Sequence, residues 1–177
     1  MHLTSEKIIF TGPVGAGKTT AIGSVSDDMP VKTDVNCSND NEKNIKDMTT
    51  VAMDYSYIQF DDNSKIHLFG TPGQKRFDFM WKILTEGGLG LVLLINNDHP
   101  SPVKQMEFYL DAFEDFIKQT GVVIGITRSG AEDRTTIDDY QSKLFERGQI
   151  FPVFEIDGRC SDDVKILLNA LLAVITV

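Results

Sequence analysis

The sequence predicts an α/β fold, a three-layer sandwich in which helices cover both faces of a mostly parallel sheet with one antiparallel edge strand. Three observations predict it. Short runs rich in Val, Ile and Leu are typical of parallel strands buried on both faces. Amphipathic helical patterns follow most of these runs. Two runs are instead joined by a short polar turn, which indicates one β-hairpin.

The first half of the chain contains a buried strand, a helix, a polar segment and the hairpin. The strand covers Lys7–Gly12, and the helix begins at Lys18. Asp27–Thr49 shows almost no apolar periodicity, so we expect a long loop, which inside a compact domain is usually functional. The hairpin consists of Thr50–Asp62 and Asn63–Gly70. In the first strand of the hairpin, larger side chains at odd-numbered positions alternate with mostly smaller or polar ones at even-numbered positions. We therefore expect that strand at the edge of the sheet.

The second half alternates strands with helices. Leu89–Asn97 is dense in Leu, Val and Ile and is predicted as a buried strand. A helix is predicted next, because Ser101 can cap it, Pro102 suits its first position, and Gly121 ends it. The remaining predicted elements are the strands Val122–Ser129 and Ile150–Ile156, a helix that opens with Thr136 and Asp139 at capping-box spacing, and a last helix from Ser161.

Length, charge and cysteine content narrow the class of protein. The chain has 177 residues, enough for one domain with a proper core. Its net charge of −9 opposes binding to nucleic acid or to anionic membranes. Cys37 and Cys160 form neither a metal-binding spacing nor a disulfide framework. No run reaches the length of a membrane span, so we expect a cytoplasmic protein.

The segment "TGPVGAGKTTA" matches the P-loop pattern, a glycine-rich loop that binds phosphate. Its glycines let backbone N–H groups turn toward an anion. Lys18 can bridge the outer phosphates, and the Thr19 hydroxyl is a hard oxygen ligand for Mg²⁺. A strand precedes the segment and a helix follows, which is the context the motif requires. The predicted phosphate-binding residues are Gly12, Val14, Gly15, Ala16, Gly17, Lys18, Thr19 and Thr20.

The stretches "GPVGAGKTT", "TTVAMDY" and "LFGTPGQKRFDFMW" together resemble the Ras-like small GTPases. The resemblance is closer to the bacterial branch of MglA-like proteins and of small ATP/GTP-binding proteins encoded beside roadblock-domain partners. It extends over the order of elements in the whole chain. It implies a P-loop NTPase sandwich, with residues 1–177 as a single small-GTPase-like domain.

The resemblance also implies roles for individual residues. Lys18, Thr50 and Gln74 are the expected catalytic residues, with Gln74 as the residue that orients the attacking water. Thr19 and Thr50 are the expected ligands of Mg²⁺, and the N–H of Gly73 would contact the γ-phosphate. The residues expected around the base are Thr127, Arg128, Asp157, Gly158 and Arg159.

Three positions depart from the pattern of Ras. Gly70 replaces the aspartate that anchors Mg²⁺, which MglA-like proteins also lack, and Asp54 is a candidate substitute. Val14 replaces a glycine and would crowd an arginine supplied by a partner. Gly130 stands where an aspartate reads guanine, so the preference for guanine follows from the resemblance alone, with Asp133 as a candidate replacement.

The function expected from the resemblance is that of a regulatory switch. The protein would bind GTP or GDP with Mg²⁺, hydrolyse GTP slowly and act on a protein partner, such as a roadblock-type regulator or a signalling protein. Two alternatives remain open, a P-loop kinase or ATPase and a nucleotide-binding module without useful hydrolysis. Trp81 is equally compatible with the core and with a surface that senses the nucleotide.

Overall fold

The computed structural model describes residues 6–37, 49–130 and 134–176. Seven strands and six helices alternate along this part of the chain. The strands are β1 (Glu6–Thr11), β2 (Val31–Cys37), β3 (Thr49–Gln59), β4 (Lys65–Gly70), β5 (Gly90–Asn96), β6 (Val122–Thr127) and β7 (Val153–Ile156). The helices are α1 (Lys18–Val25), α2 (Asp78–Thr85), α3 (Pro102–Ala112), α4 (Glu114–Gln119), α5 (Ile137–Glu146) and α6 (Ser161–Ile175).

The strands form one sheet in the order β2-β3-β4-β1-β5-β6-β7. The five strands from β4 to β7 in this order pair in parallel, which confirms the prediction of an α/β protein with a mostly parallel sheet. The predicted antiparallel strand is β3, which pairs antiparallel with both β2 and β4. The prediction that this strand lies at the edge is wrong, because β2 pairs along its outer side.

The strand β2 also corrects the prediction of a loop over Asp27–Thr49. Val31–Cys37 pairs with β3 in an unbroken register from Val31 opposite Tyr55 to Cys37 opposite Thr49. Its residues carry little apolar periodicity, which is why no local pattern predicts a strand there. Pairing with β3 supplies the backbone hydrogen bonds that make the segment a strand. Residues 38–48 of the predicted loop lie outside the described part of the chain.

Each face of the sheet is covered by its own apolar cluster, which gives the three layers. On one face α1 and α6 pack on side chains such as Phe10 and Leu68. On the other face α2, α3, α4 and α5 pack on residues such as Leu93 and Ile124. Trp81 belongs to this second cluster and is 4% exposed. Of its two possible places, Trp81 therefore occupies the core.

The helix predicted from Pro102 to Gly121 is divided at Phe113 into α3 and α4. The backbone of Phe113 departs from helical dihedrals, yet hydrogen bonds of the α-helical spacing run through it, from its N–H to Tyr109 and from Ile117 to its carbonyl. Ser101 is the cap residue of α3 without a side-chain hydrogen bond. At α5, Asp139 accepts hydrogen bonds from the N–H and hydroxyl of Thr136, as the capping-box spacing predicts.

The parallel strands end at a common edge, where the loops after β1, β4, β5, β6 and β7 converge. In open α/β sheets, ligands bind beside the carboxyl ends of the strands. The segments predicted to bind a nucleotide lie in four of these loops. Within the described residues, no helix is long and apolar enough to cross a membrane.

Candidate nucleotide-binding site

The loop between β1 and α1 has the backbone conformation of a cradle. Gly12, Gly15 and Gly17 have φ angles of 139°, 79° and 94°, which residues other than glycine rarely adopt. A Cβ at Gly12 would also lie 2.1 Å from the carbonyl oxygen of Leu94 on β5. The loop therefore needs glycine both for its turns and for its close approach to the sheet.

Several N–H groups of the loop and of the first turn of α1 are free to bind an anion. Among the described residues, no acceptor takes a hydrogen bond from the N–H groups of Gly15, Gly17, Lys18 or Thr19. The first turn of α1 has neither a side-chain cap nor an acidic residue. Helix N-termini carry partial positive charge and unsatisfied donors, and capping usually supplies their acceptors. Phosphate groups fit such an uncapped terminus.

The ammonium group of Lys18 lies inside the loop. Its Nζ donates to the carbonyl oxygens of Gly12 and Pro13 at 2.7 and 2.9 Å. The residue is 8% exposed. Burial lowers the pKa of Lys18 to about 8, while the charge of Asp54 acts in the opposite direction. A phosphate beside Lys18 would favour the charged ammonium in the same way, and the loop thus fits an anionic ligand.

The hydroxyl of Thr19 is held by a carboxylate from the sheet. Thr19 Oγ1 donates to Asp54 Oδ2 at 2.5 Å. Asp54 stands on β3 directly opposite Gly70 on β4. A Cβ at Gly70 would lie 3.1 Å from Asp54 Cβ and 3.2 Å from Asp54 Oδ2. The carboxylate that the sequence lacks at Gly70 is thus present across the strand pair.

The turn that follows β4 is fastened to the sheet and to two helices. Thr71 shares a hydrogen bond of 2.8 Å between its hydroxyl and that of Thr11, and its N–H donates to Phe10. Trp81 Nε1 donates to the carbonyl of Pro72 at 3.1 Å, and the Tyr109 hydroxyl donates to the carbonyl of Gly73 at 3.1 Å. Burial raises the pKa of Tyr109 to about 12, so this hydroxyl stays protonated at neutral pH.

These bonds hold the turn against the cradle. A Cβ at Gly73 would lie 2.6 Å from the backbone nitrogen of Val14 and 3.0 Å from Lys18 Nζ. No larger residue fits there without a shift of the turn or of the loop. Gln74, the next residue, is exposed. Its side chain can reorient without disturbing the packing of the turn.

A cavity of about 710 Å³ opens between the cradle and the loops after β6 and β7. Thr127 lies in its wall, where its Oγ1 is 3.1 Å from the carbonyl oxygen of Ala16 and 3.2 Å from that of Ile95. This hydroxyl ties the end of β6 to the cradle. The predicted base-contacting residues Arg128, Asp157, Gly158 and Arg159 all line the same cavity.

Several charged groups at and near the cavity are paired with one another. The carboxylate of Asp98 contacts the guanidinium groups of both Arg128 and Arg134. Asp157 accepts three side-chain hydrogen bonds from Arg159, at 2.9, 3.2 and 2.7 Å, and this contact lowers the pKa of Asp157 to about 2. A Cβ built on Gly130 would meet no atom within 4 Å, so the space beside this residue is open. Asp133, the suggested replacement for the guanine-reading acid, lies outside the described residues.

One comparison places the chain among known proteins. No family model matches it. The chain is 32% identical over 128 residues to the uncharacterized protein MJ1339 of Methanocaldococcus jannaschii. The match covers 69% of this chain and 75% of the archaeal protein.

The chain belongs to the same family as MJ1339. Because that relative carries no described activity, the kinship assigns no chemistry.

The structure brings most of the predicted site residues together at one edge of the sheet. Lys18, Thr19, Gly73 and the cavity-lining residues lie around the cradle, as the motifs predict. Thr50 lies in β3 opposite Asn36, and its side chain is outside the described part of the structure. Val14 is 67% exposed and points away from the core.

Sequence reasoning missed the residues that hold these parts in place. Tyr109 and Trp81 carry only the ordinary signal of apolar residues in helices, and nothing in the sequence shows that their polar atoms reach the turn after β4. Thr71 and Asp98 also gave no signal. Their hydrogen bonds join segments far apart in the chain, and only the folded sheet creates them.

Proposed function

We propose that the protein is a small GTP-binding switch, which binds GTP or GDP with Mg²⁺, hydrolyses GTP slowly and regulates a protein partner. The observation that carries the proposal is the cradle before α1. There, free N–H groups, an uncapped helix terminus and a buried lysine meet at the carboxyl edge of a parallel sheet. This combination fits a chain of phosphate groups.

The positions of the groups support a role for each residue in this proposal. Lys18 neutralises charge on the outer phosphates, and Gly73, which lies against the cradle, offers its N–H to the γ-phosphate. Gln74 is exposed beside this turn and can orient a water molecule. Thr19 offers the oxygen that Mg²⁺ prefers, and Mg²⁺ when bound supplies charge neutralisation at the β- and γ-phosphate oxygens.

The arrangement of arginines near the turn after β4 supports slow hydrolysis. An arginine that neutralises transition-state charge contributes about 10³–10⁵ in rate. Arg76 is the nearby candidate within the chain, and its guanidinium carbon lies 4.7 Å from the ring centre of Phe77. The exposed Val14 crowds the approach of an arginine from a partner. A partner would therefore act mainly by ordering Gln74 and the segments around it.

The cavity is large enough for a nucleoside. Its charged side chains do not determine which base would bind. Guanine is usually read by a carboxylate that accepts hydrogen bonds from its ring and amino nitrogens. Asp157 is such a carboxylate at the cavity, but its oxygens already accept from Arg159. Guanine recognition would require Asp157 to release Arg159 or another acid to take its place. The preference for guanine accordingly rests on the resemblance to small GTPases.

Nucleotide competition followed by turnover tests the proposal. The purified protein is loaded with fluorescent GDP in Mg²⁺, and unlabelled GTP, GDP, ATP and ADP are added as competitors. We expect GTP and GDP to displace the probe and ATP and ADP to do so much less well. Equal competition by ATP would favour an adenine-nucleotide enzyme. Displacement by GTP without any GDP formed overnight would favour a binding module, and no probe binding at all would refute the nucleotide site.

A further inference from the structure

The strand pair β3–β4 places an acid where β4 itself has none. Asp54 and Gly70 are directly opposite in the antiparallel register. A Cβ at Gly70 would meet Asp54 Cβ at 3.1 Å, Asp54 Oδ2 at 3.2 Å and Ile22 Cδ1 at 3.2 Å. The Asp54 side chain therefore fills the space that a side chain at position 70 would need. An acid fits at one of these two positions and crowds the other.

The Asp54 carboxylate is directed toward the cradle. Its Oδ2 accepts from the hydroxyl of Thr19, the second residue of α1, at 2.5 Å. Lys18, which precedes Thr19, keeps its ammonium in the cradle. One carboxylate, one hydroxyl and the phosphate-binding lysine thus lie together at the end of the loop.

This donor set suits a magnesium ion that is shared with phosphate. Mg²⁺ takes oxygen ligands, keeps several waters and usually binds through one or two carboxylates together with the phosphates of a substrate. Such a site needs no cluster of acids. The described residues indeed contain no group of three His, Cys, Asp or Glu side chains that could hold a metal by itself.

We propose that Asp54 is the carboxylate that holds Mg²⁺ at the nucleotide site, and that Gly70 is small because it makes room for Asp54. The acid that related switches carry on the strand before the "TPGQ" turn has here moved to the neighbouring strand. This inference rests on the proposed nucleotide function, because the phosphates complete the coordination of the metal.

A structural role for Asp54 makes a different prediction. The hydrogen bond from Thr19 also ties α1 to β3, and it could serve packing alone. Asp54→Asn separates the two roles, since the amide keeps the size of the side chain and an oxygen that can accept from Thr19 while it loses the charge. A structural tie survives this change, whereas a magnesium ligand does not.

The test measures release of N-methylanthraniloyl-GDP from the full-length protein as a function of Mg²⁺ concentration. In the wild type we expect removal of Mg²⁺ by EDTA to accelerate release at least about tenfold. In Asp54→Asn we expect the Mg²⁺ midpoint to rise at least about tenfold and EDTA to have little further effect. Asp61→Asn, which removes an exposed acid at the far end of the same hairpin, is the matched control and should behave as the wild type.

A second test moves the acid from position 54 to position 70. Gly70→Asp alone should lower the melting temperature, because its side chain collides with Asp54. Gly70→Asp combined with Asp54→Gly frees that space, and we expect it to restore the Mg²⁺ dependence that Asp54→Gly alone loses. Recovery in the double variant would support a carboxylate that acts through its charge at this place.

The outcomes separate this inference from the proposed function. If Asp54→Asn binds the probe with the Mg²⁺ midpoint of the wild type, Asp54 is not a metal ligand, and the proposed function stands without it. If the wild type binds no nucleotide at any Mg²⁺ concentration, both fail. A double variant that remains insensitive to Mg²⁺ would also count against the exchange of the acid between the two strands.

Discussion

At the scale of the residue, Lys18 carries the strongest physical indication of a ligand. Its ammonium is buried, and its pKa is lowered to about 8 because burial disfavours the charged form. Its protein partners in the cradle are neutral carbonyl groups. A buried cation normally has an anionic partner in contact. Phosphate in the cradle would supply that partner, and this explains why a lysine is kept in an otherwise costly place.

Replacement of Lys18 by alanine should abolish nucleotide binding. Hydrogen bonds to charged groups contribute about 1.5–3 kcal/mol each. The loss of two such bonds from the ammonium to phosphate should weaken affinity at least about 100-fold. Calorimetric titration with GDP in Mg²⁺ measures it, and circular dichroism checks the fold. Lys104→Ala removes an exposed lysine on α3 and should leave affinity unchanged. A wild-type dissociation constant for Lys18→Ala would refute the assignment of the site.

Replacement of Gln74 by alanine should affect hydrolysis and spare binding. Gln74 is exposed, and the turn around it is held by Trp81 and Tyr109, so truncation should leave the backbone in place. We expect partner-stimulated turnover to be almost lost and GTP affinity to change less than about threefold, because the proposed role of Gln74, to orient the attacking water, is confined to the transition state. Single-turnover hydrolysis with and without the partner measures this. Equal rates for both proteins would show that the turn is not catalytic.

At the scale of the element, the turn after β4 is the part most closely fitted to its surroundings. Helices α2 and α3 each donate one side-chain hydrogen bond to it, and its glycine lies against the cradle. Because consecutive carbonyls of Pro72 and Gly73 are fixed, the N–H of Gly73 is also fixed in direction. Two helices therefore hold the turn in place beside the cradle.

Gly73→Ala tests whether this turn distinguishes triphosphate from diphosphate. The added Cβ would lie 2.6 Å from the Val14 nitrogen, so the turn and the cradle must move apart. We expect affinity for GTP to fall about tenfold, which corresponds to the loss of one charge-assisted hydrogen bond, while affinity for GDP stays nearly the same. Ser142→Ala, which changes an exposed residue on α5 that does not line the cavity, is the control. An unchanged ratio of GTP to GDP affinity would remove the turn from phosphate recognition.

At the scale of the whole molecule, the candidate site joins parts of the chain that are distant in sequence. The hydroxyl of Thr127 contacts the carbonyl of Ala16 across 111 positions, and Asp54 reaches Thr19 across 35. A ligand at the cradle would contact β1, α1 and the loops after β4, β6 and β7 together. Binding should therefore stabilise the entire sheet and not one loop.

Saturating GDP with Mg²⁺ should raise the melting temperature. A ligand at 100 times its dissociation constant adds about 2.7 kcal/mol, which for a chain of this size corresponds to about 5–10 °C. Scanning fluorimetry with and without GDP measures the shift. Lys18→Ala should melt cooperatively but show no shift with GDP. The same shift in that variant would mean that GDP stabilises the protein at some other place.

The sequence predicted the elements whose local pattern is strong. The apolar runs of β1, β5 and β6 and the capping box of α5 all appear where they were expected. It did not predict α2, whose aromatic residues read only as a cluster, or β2, whose residues have no period. Both elements depend on neighbours for their definition, since α2 buries Trp81 against α3 and β2 pairs along β3.

The sequence alone determined the α/β class and the position of the glycine-rich cradle, because buried strands, helix periods and a glycine-rich loop are recorded in adjacent residues. Only the tertiary structure decided that β3 is an inner strand, that Asp54 occupies the space beside Gly70, and that Trp81 and Tyr109 hold the turn after β4. The physical reason is the register of the sheet. Which residue of β3 stands opposite which residue of β4 is set by pairing across the fold, and no local pattern in either strand specifies it.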